Sequence, residues 1–314
     1  MLFIALLILA AAVAYGIQLQ KSIDDTIDQI TAGADEHVPE EQLAKKKPLA
    51  ILLLGLDSRP VVGGLNTDVI MVAALNPEQK SAVVVSVPRD TYVKVEGWRA
   101  RKANSFYANV YDRDNLRDTY AQMKEVFGKF FGIPIDYVTV VNFNTLVDLV
   151  DAVGGIHVEV DQDMRYVDPT DGTDINLRAG PQDLDGKKAL DFVRYRHSNH
   201  GETPESSDFD RNRRQQVVVG AIVDRLKSFN TLVNFNPILD AIGNNIHTDL
   251  PKAQIRSLIQ TYLGISSERI RFIALEGSWR SPYVYLDEAS FAQAKQALSE
   301  QLSDGGSDAE ASRQ

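Results

Sequence analysis

The sequence predicts an α/β protein, a three-layer α/β/α sandwich around a mixed central sheet, preceded by an N-terminal transmembrane helix. Two patterns support this prediction. Short apolar runs rich in strand-forming residues alternate with segments whose apolar residues recur every three or four positions, as strands and their covering helices do. The chain also begins with an uncharged stretch, Met1 to Ile17, which is about the shortest length that spans a bilayer as a helix.

The N-terminal stretch is interpreted as an uncleaved anchor over residues 1–17. Isoleucines at helical spacing continue between positions 23 and 30, so residues 18–48 are predicted to form a stalk and a linker. A cleaved signal peptide is the alternative, because Ala12-Val13-Ala14 resembles a small-residue cleavage site. No basic residue precedes the apolar run, so the usual signal for orientation in the membrane is missing.

The main domain is predicted over residues 49–228. Its strands are short apolar runs, predicted over Leu49–Leu54, Val69–Leu75, Ala82–Val87, Ile135–Val141 and Ile156–Val160. Its helices follow the helical period or end at glycines, and they are predicted over 114–127, 143–153, 187–192 and 209–228. Residues 161–185 are rich in Asp, Pro and Gly and are predicted to form a long loop.

The C-terminal part, residues 229–302, is predicted to pack on the same domain. It contains candidate helices near 237–244, 251–262 and 287–302 and a candidate strand at 270–274. Residues 303–314 are predicted to be a disordered tail.

The composition is that of a globular protein and argues against nucleic-acid binding. Hydrophobic residues make up 44% of the chain and charged residues 24%, enough for a large core. A formal net charge of −10 repels polyanions, so an anionic ligand needs a local cluster of arginines. The chain has no cysteine, which excludes disulfides, thiolate metal sites and cysteine nucleophiles.

The first candidate constellation holds two carboxylates. Asp57 follows the first predicted strand and Asp68 begins the second, with a glycine-containing loop between them. Such a loop can bring both carboxylates to one sheet edge, where Mg²⁺ binds one or two carboxylates together with phosphate oxygens and water. On spacing alone, a turn or capping role for each aspartate is the stronger reading.

The second constellation is Ser86-Val87-Pro88-Arg89-Asp90, directly after a very apolar strand. An arginine at this point lies at a carboxyl end of the sheet, where open α/β folds bind ligands. A simple surface salt bridge between Arg89 and Asp90 is the alternative.

The third constellation is the most specific. Arg194 and Arg196 alternate in a segment just before a long helix, for which Asp208 is predicted as the N-cap. In that helix Arg211 and Gln215 lie four residues apart, and the same face continues into apolar positions. The face is therefore predicted to point inward, and a buried arginine needs an anion, for which its planar guanidinium suits phosphate.

Together these residues resemble the LytR-CpsA-Psr family over roughly residues 49–228. The resemblance rests on motifs in the family order, namely Gly55-Leu56-Asp57-Ser58-Arg59, Thr67-Asp68, Ser86-Val87-Pro88-Arg89-Asp90, Val153-Gly154-Gly155-Ile156, Ala189 to Arg196, and Asp208 to Gln216. The family has a single-pass membrane anchor and an extracytoplasmic α/β/α domain. It transfers glycopolymers such as teichoic acid from a polyprenyl-pyrophosphate carrier to peptidoglycan.

The resemblance implies roles for individual residues. Asp57 and Asp68 would bind Mg²⁺ or Mn²⁺. The pyrophosphate would be held by Arg89, Arg194, Arg196, Arg211 and Gln215. The chain departs from the family at Asn66, where an arginine is usual, and Arg59 is the candidate to replace that phosphate contact. Asp68 or Asp90 would accept the proton of the attacking hydroxyl.

Three other functions stay open on the sequence. One is a hydrolase that transfers the same phosphoryl group to water, and another is a lipid carrier without catalysis. The third is a regulatory protein, because the family has long carried a transcriptional-attenuator label. Direct DNA binding is disfavoured by the acidic chain and the lack of a basic face.

Overall fold

The computed structural model describes residues 21, 25–27, 29, 31, 37–56, 64–170, 172–199, 201, 203–228, 241, 243, 246–262 and 264–303. The predicted anchor over residues 1–17, most of the predicted helix at 237–244 and the predicted tail beyond residue 303 lie outside these ranges. Within them, no helix combines the length and the apolar character that crossing a membrane requires.

The strands, numbered along the chain, are β1 (Leu49–Leu56), β2 (Thr67–Asn76), β3 (Ser81–Ser86), β4 (Tyr92–Val93), β5 (Arg101–Lys102), β6 (Tyr137–Asn142), β7 (Ile156–Val160), β8 (Met164–Asp168), β9 (Thr173–Leu177), β10 (Gly180–Leu184), β11 (Ile246–Thr248), β12 (Ile270–Ala274), β13 (Gly277–Arg280) and β14 (Tyr283–Leu286). The α-helices are α1 (Ser105–Val110), α2 (Leu116–Phe131), α3 (Phe143–Ala152), α4 (Gly186–Arg194), α5 (Asp208–Ser228), α6 (Lys252–Tyr262) and α7 (Glu288–Leu302).

The central sheet is mixed, as predicted, with the strand order β11-β6-β1-β2-β3-β12. Strand β1 is parallel to β6 and antiparallel to β2, while β3 is antiparallel to β2 and parallel to β12. Strands β1, β3, β6 and β12 therefore run in one direction and end at one edge, where β2 begins. We call this the carboxyl edge.

Helices cover both faces of this sheet. On one face, Ala50, Leu52 and Leu54 alternate along β1 and pack in a core with side chains of α1, α2 and α7. On the other face, Ile51 of the same strand contacts a cluster that includes Ile255 of α6. The alternation follows from the two-residue period of a strand, so both sides of β1 are apolar.

A second core joins α3, α4 and α5 to the strands β7 to β10. The prediction of a long loop over 161–185 is wrong, because this segment forms β8, β9 and β10. Strand β8 pairs with β9, and β10 pairs with β7 rather than with the central sheet. These strands bury only a few apolar side chains, such as Met164, Ile175 and Leu177. Polar residues lie between them in the sequence, so no continuous apolar run indicates a strand.

Two further predictions need correction. The helix predicted over 114–127, with Gly128 and then Gly132 as its end, continues through Gly128 to Phe131, and Gly132 terminates it with a left-handed φ of 72°. The C-terminal end of the predicted linker is packed on the domain. Ala44 is buried, and its N–H donates to Gln254 Oε1 at 3.0 Å. Its neighbour Lys45 donates its N–H to Ser257 Oγ at 2.9 Å.

Candidate functional site

The site begins at the carboxyl edge, where Asp68 and Arg89 meet. Asp68 lies at the start of β2, and Arg89 follows the end of β3, the neighbouring strand. Arg89 Nη1 donates a hydrogen bond to Asp68 Oδ1 at 2.6 Å. Burial opposes the charge of Arg89, but the hydrogen bond and charge of Asp68, with Asp208 and Asp90 nearby, raise its pKa. Arg89 therefore keeps its positive charge.

Asp90 has a different principal partner from the one expected. Its Oδ2 is 3.8 Å from Arg89 Nε, whereas its Oδ1 is 2.7 Å from Lys102 Nζ on β5. Asp90 is buried, with 9% of its surface exposed. The local Arg89–Asp90 salt bridge is therefore secondary to the pairs Arg89–Asp68 and Lys102–Asp90. Lys102 is a site neighbour that the sequence did not single out.

The beginning of α5 places the next acidic group. Asp208 was predicted as the N-cap, but Ser207 has that role: its Oγ accepts a hydrogen bond from Asp210 N at 3.1 Å. The Asp210 carboxylate in turn accepts from Ser207 N at 2.8 Å, which completes a reciprocal capping pair. Asp208 is the first residue of the helix, and its carboxylate is left to bind arginines.

Asp208 joins two arginines. Its Oδ1 accepts from Arg211 Nη1 at 3.0 Å and lies 3.8 Å from Arg196 Nη2. Arg211 is buried, whereas Arg196 is exposed. Gln215, one helical turn after Arg211, is also buried. The prediction that α5 turns this face inward is confirmed, since Val218 continues it at 1% exposure.

The charge of Arg211 is incompletely balanced. Its Nε is buried and has no hydrogen-bond partner among the described residues. Burial lowers the pKa of Arg211, and the neighbouring cations Arg89 and Arg196 act in the same direction against Asp208 and Asp68. Among the described residues, the four cations Arg89, Lys102, Arg196 and Arg211 thus share three carboxylates, those of Asp68, Asp90 and Asp208. Such a cluster is suited to receive an anion with several oxygens.

Arg194 reaches the same edge by another route. It is the last residue of α4, and the chain then becomes extended at the buried Tyr195. The Arg194 guanidinium lies 4.4 Å from the ring centroid of Phe143, which begins α3 directly after the end of β6. The chain therefore leaves the helix between Arg194 and Arg196.

Arg214 serves the site indirectly. Its Nε and Nη2 each donate to the Asp161 carboxylate at 2.7 Å, and its Nη1 donates to Tyr195 O at 3.3 Å. The Tyr195 hydroxyl is 2.6 Å from Thr203 Oγ1 and donates to Pro204 O at 2.8 Å. These contacts hold the residue between Arg194 and Arg196 in place. The sequence placed Arg214 beside Arg211 but did not show that it is directed to a carboxylate.

Among the described acidic groups, Asp68 is the candidate metal ligand. Asp57 and Arg59 lie outside the described residues. The described residues contain no group of three acidic or histidine side chains able to hold a metal. The carboxylate of Asp68 binds Arg89 through Oδ1, which leaves Oδ2 as the candidate metal ligand. Leu56, which precedes Asp57 in the sequence, pairs with Thr67 beside Asp68. Mg²⁺ usually binds one or two carboxylates together with phosphate oxygens and water, so the free oxygen of Asp68 is compatible with that ion as one of its ligands.

Comparison with known proteins gives consistent matches over nearly the whole chain. The sequence profile of the LytR_cpsA_psr family matches residues 14–304. A Bacillus cereus relative, named polyisoprenyl-teichoic acid–peptidoglycan teichoic acid transferase TagU, is 32% identical over 302 residues, covering 92% of this chain and 90% of the relative. The crystal structure of Bacillus subtilis TagV is similar with a TM-score of 0.64 at 28% identity, covering 82% of this chain and 98% of TagV. A structure of TagT bound to LI-WTA gives a TM-score of 0.61 at 25% identity, covering 87% of this chain and 98% of that one.

Proposed function

The chain belongs to the LytR-CpsA-Psr family, and on that basis we propose that it transfers an anionic glycopolymer from a polyprenyl-pyrophosphate carrier to peptidoglycan. The observation that best supports this is the excess of positive charge in the cluster: four cations, Arg89, Lys102, Arg196 and Arg211, share the three carboxylates of Asp68, Asp90 and Asp208. A pyrophosphate supplies the negative charge that such a cluster lacks. The names of the relatives, which are teichoic acid transferases, favour a teichoic acid as the polymer.

The reaction is a phosphoryl transfer. A hydroxyl oxygen of a peptidoglycan sugar attacks the phosphorus next to the glycan, and the bond from that phosphorus to the bridging oxygen of the pyrophosphate breaks. The proton of the hydroxyl passes to a carboxylate, and polyprenyl phosphate leaves. The products are a phosphodiester between polymer and peptidoglycan and the free lipid phosphate. Such a transfer needs positioning and charge neutralisation more than covalent catalysis.

The arginines provide both. Arg89 and Arg211 hold the pyrophosphate from the inner side, because they are the more buried cations, and Arg196 closes the exposed side. Arg194 and Gln215 add contacts from the end of α4 and from the next turn of α5. Charge-assisted hydrogen bonds of this kind are stronger than neutral ones and act on the charge that moves to the leaving phosphate.

The acceptor proton has two candidate bases. Asp68 and Asp90 flank Arg89, so both lie beside the proposed phosphate position. Near Asp68, the exposed Asn66 stands where the family usually has arginine. We propose Arg59 as the replacement contact; unchanged affinity for lipid pyrophosphate in an Arg59→Ala variant would exclude this role.

We also propose that the site uses Mg²⁺, or Mn²⁺, bound by Asp68 and Asp57 together with the substrate phosphates. When bound, the ion neutralises phosphate charge that the arginines leave. The protein would be held by its N-terminal segment as a single-pass membrane protein with the domain on the extracytoplasmic side. This location matches a substrate whose lipid is in the membrane and an acceptor in the cell wall.

The proposal is tested with a radiolabelled lipid-linked polymer, with and without peptidoglycan fragments. Transfer predicts label on the fragments and release of polyprenyl phosphate only when acceptor is present. Label released as free polymer at the same rate with or without fragments would instead identify a hydrolase. Chelation of divalent ions in the same assay should stop transfer if the proposed metal role is correct.

A further inference from the structure

A hairpin formed by β13 and β14 adjoins the candidate site and has no role in the reaction described above. Its anchor is close to Asp90: Val284 N–H donates to Asp90 O at 2.9 Å, and Thr91 forms a parallel bridge with Val284. The hairpin is therefore attached to the segment that follows Arg89. A side chain held on it has a defined position relative to the phosphate cluster.

Trp279 on this hairpin is unusually exposed. Its exposed fraction of 56% is the highest among the large hydrophobic side chains that the structure describes. Lys102 Nζ lies 5.6 Å from the centroid of the indole ring and 2.7 Å from Asp90 Oδ1. Lys102 thus connects the indole to that carboxylate.

The hairpin that carries the exposed indole is fixed on the domain. In the hairpin register Trp279 lies opposite Val284, whereas Tyr283 and Tyr285 are on the other face. Those two rings pack on Tyr92 of β4 with centroid distances of 5.0 and 5.3 Å. The aromatic packing on one face and the backbone contact to Asp90 fix the hairpin, so the backbone of Trp279 has a defined place beside Lys102.

We propose that Trp279 and Lys102 form the subsite for the acceptor, in which an uncharged sugar ring of a peptidoglycan strand stacks on the indole. Aromatic faces bind the C–H face of a pyranose, and nearby polar groups then fix its orientation, as in other ligand sites. Lys102 donates to the sugar oxygens. The acceptor hydroxyl is directed past Asp90 to the phosphorus held by Arg89. This inference rests on the proposed transferase function and identifies the place of its second substrate.

The charges favour the acceptor over other occupants. Lys102 is already paired with Asp90, and Arg280 of the hairpin packs on Tyr285 on the opposite face. The subsite therefore suits a neutral ring better than a phosphate-bearing polymer or an anionic membrane surface. Lys102, next to Trp279, contacts Asp90 Oδ1, whereas Arg89 of the donor cluster is nearest to Asp90 Oδ2. A neutral ring on Trp279 and the donor pyrophosphate can therefore be bound together.

The test measures steady-state transfer with lipid-linked donor and soluble peptidoglycan glycan fragments. The Trp279→Ala variant should raise the KM for the fragment about tenfold, as expected for loss of one aromatic stacking contact, with an unchanged KM for the donor. Trp279→Phe should lose less, because a ring remains. Ile259→Ala, at an exposed apolar residue of α6, is the matched control and should behave like the wild type.

Fragment binding without donor, measured by calorimetry, separates this inference from the proposed function. A wild-type protein that binds the fragment more tightly than Trp279→Ala but only hydrolyses the donor would support the subsite and contradict the transferase. Equal affinity of wild type and Trp279→Ala would overturn the subsite even if transfer occurs. The subsite is also overturned if Trp279→Ala changes the donor KM, or binding to anionic lipid vesicles, while the fragment KM stays constant.

Discussion

Replacing Arg211 with methionine is expected to weaken binding of a polyprenyl pyrophosphate without destabilising the free protein. Arg211 is 6% exposed, and burial together with Arg89 lowers its pKa. A lowered pKa in a base means that the fold disfavours its charged form, so at neutral pH the charge opposes folding. Methionine fills a similar volume without that charge. The substitution leaves Asp208 with Arg196, not alone.

The two effects can be estimated separately. The lost hydrogen bond to Asp208 costs about 1.5–3 kcal/mol, and relief of the buried, repelled charge offsets it by several kcal/mol. We therefore expect the free energy of unfolding to fall by less than about 1 kcal/mol, or to rise. For the ligand, loss of charge-assisted phosphate contacts of about 1.5–3 kcal/mol corresponds to a ten- to hundredfold weaker Kd.

Thermal unfolding with and without a short-chain prenyl pyrophosphate measures both quantities. At a ligand concentration about 100 times the wild-type Kd, the ligand stabilises the wild type by about 2.7 kcal/mol, and a variant that binds a hundredfold more weakly by about 0.4 kcal/mol. Arg213→Met is the control, because Arg213 is exposed on the same helix and pairs with Asp210. If the Arg211→Met variant loses clearly more than about 1 kcal/mol without ligand, or keeps the full ligand effect, this reasoning is refuted.

Three further outcomes are expected. Arg194→Ala and Arg196→Ala should each abolish transfer of the polymer while the variant proteins still fold. Full transfer activity in either variant would exclude the phosphate-binding role of that arginine. Asp161→Asn should lower stability by about 1–3 kcal/mol in urea denaturation, because Arg214 keeps a buried charge without its carboxylate partner; an unchanged midpoint would contradict this. Burial raises the pKa of Asp191 above its ordinary value despite an adjacent lysine, so the native state binds the proton more tightly than the unfolded chain. Stability should then decrease as pH rises from about 4 through the native pKa, and Asp191→Asn should remove that part of the slope.

The sequence predicted the elements whose signals are local. The apolar runs of β1, β2 and β3 appear within two residues of their predicted positions, because a buried central strand is apolar on both faces. Strand β12, at the edge of the sheet, has its predicted bounds. The inward face of α5 was also predicted from the sequence, because Arg211 and Gln215 are four residues apart and therefore lie on the same side of a helix. Where the pattern was weak, as in residues 161–185, the prediction failed. The strands there are defined by pairing, such as Ile156 with Leu184, which no local window contains.

The candidate site divides in the same way. The amino-acid types and their order by themselves determined the family, the mixed α/β sheet and the set of arginines and carboxylates. Only the tertiary structure decided which charges meet. Arg89 pairs with Asp68, and Arg211 and Arg196 pair with Asp208. Arg214 pairs with Asp161 and does not join the other arginines. It also decided that Trp279 lies beside Lys102, the partner of Asp90. Ion pairs and side-chain contacts depend on distances of a few ångströms between distant parts of the chain, and these distances are set by how the sheet and helices pack.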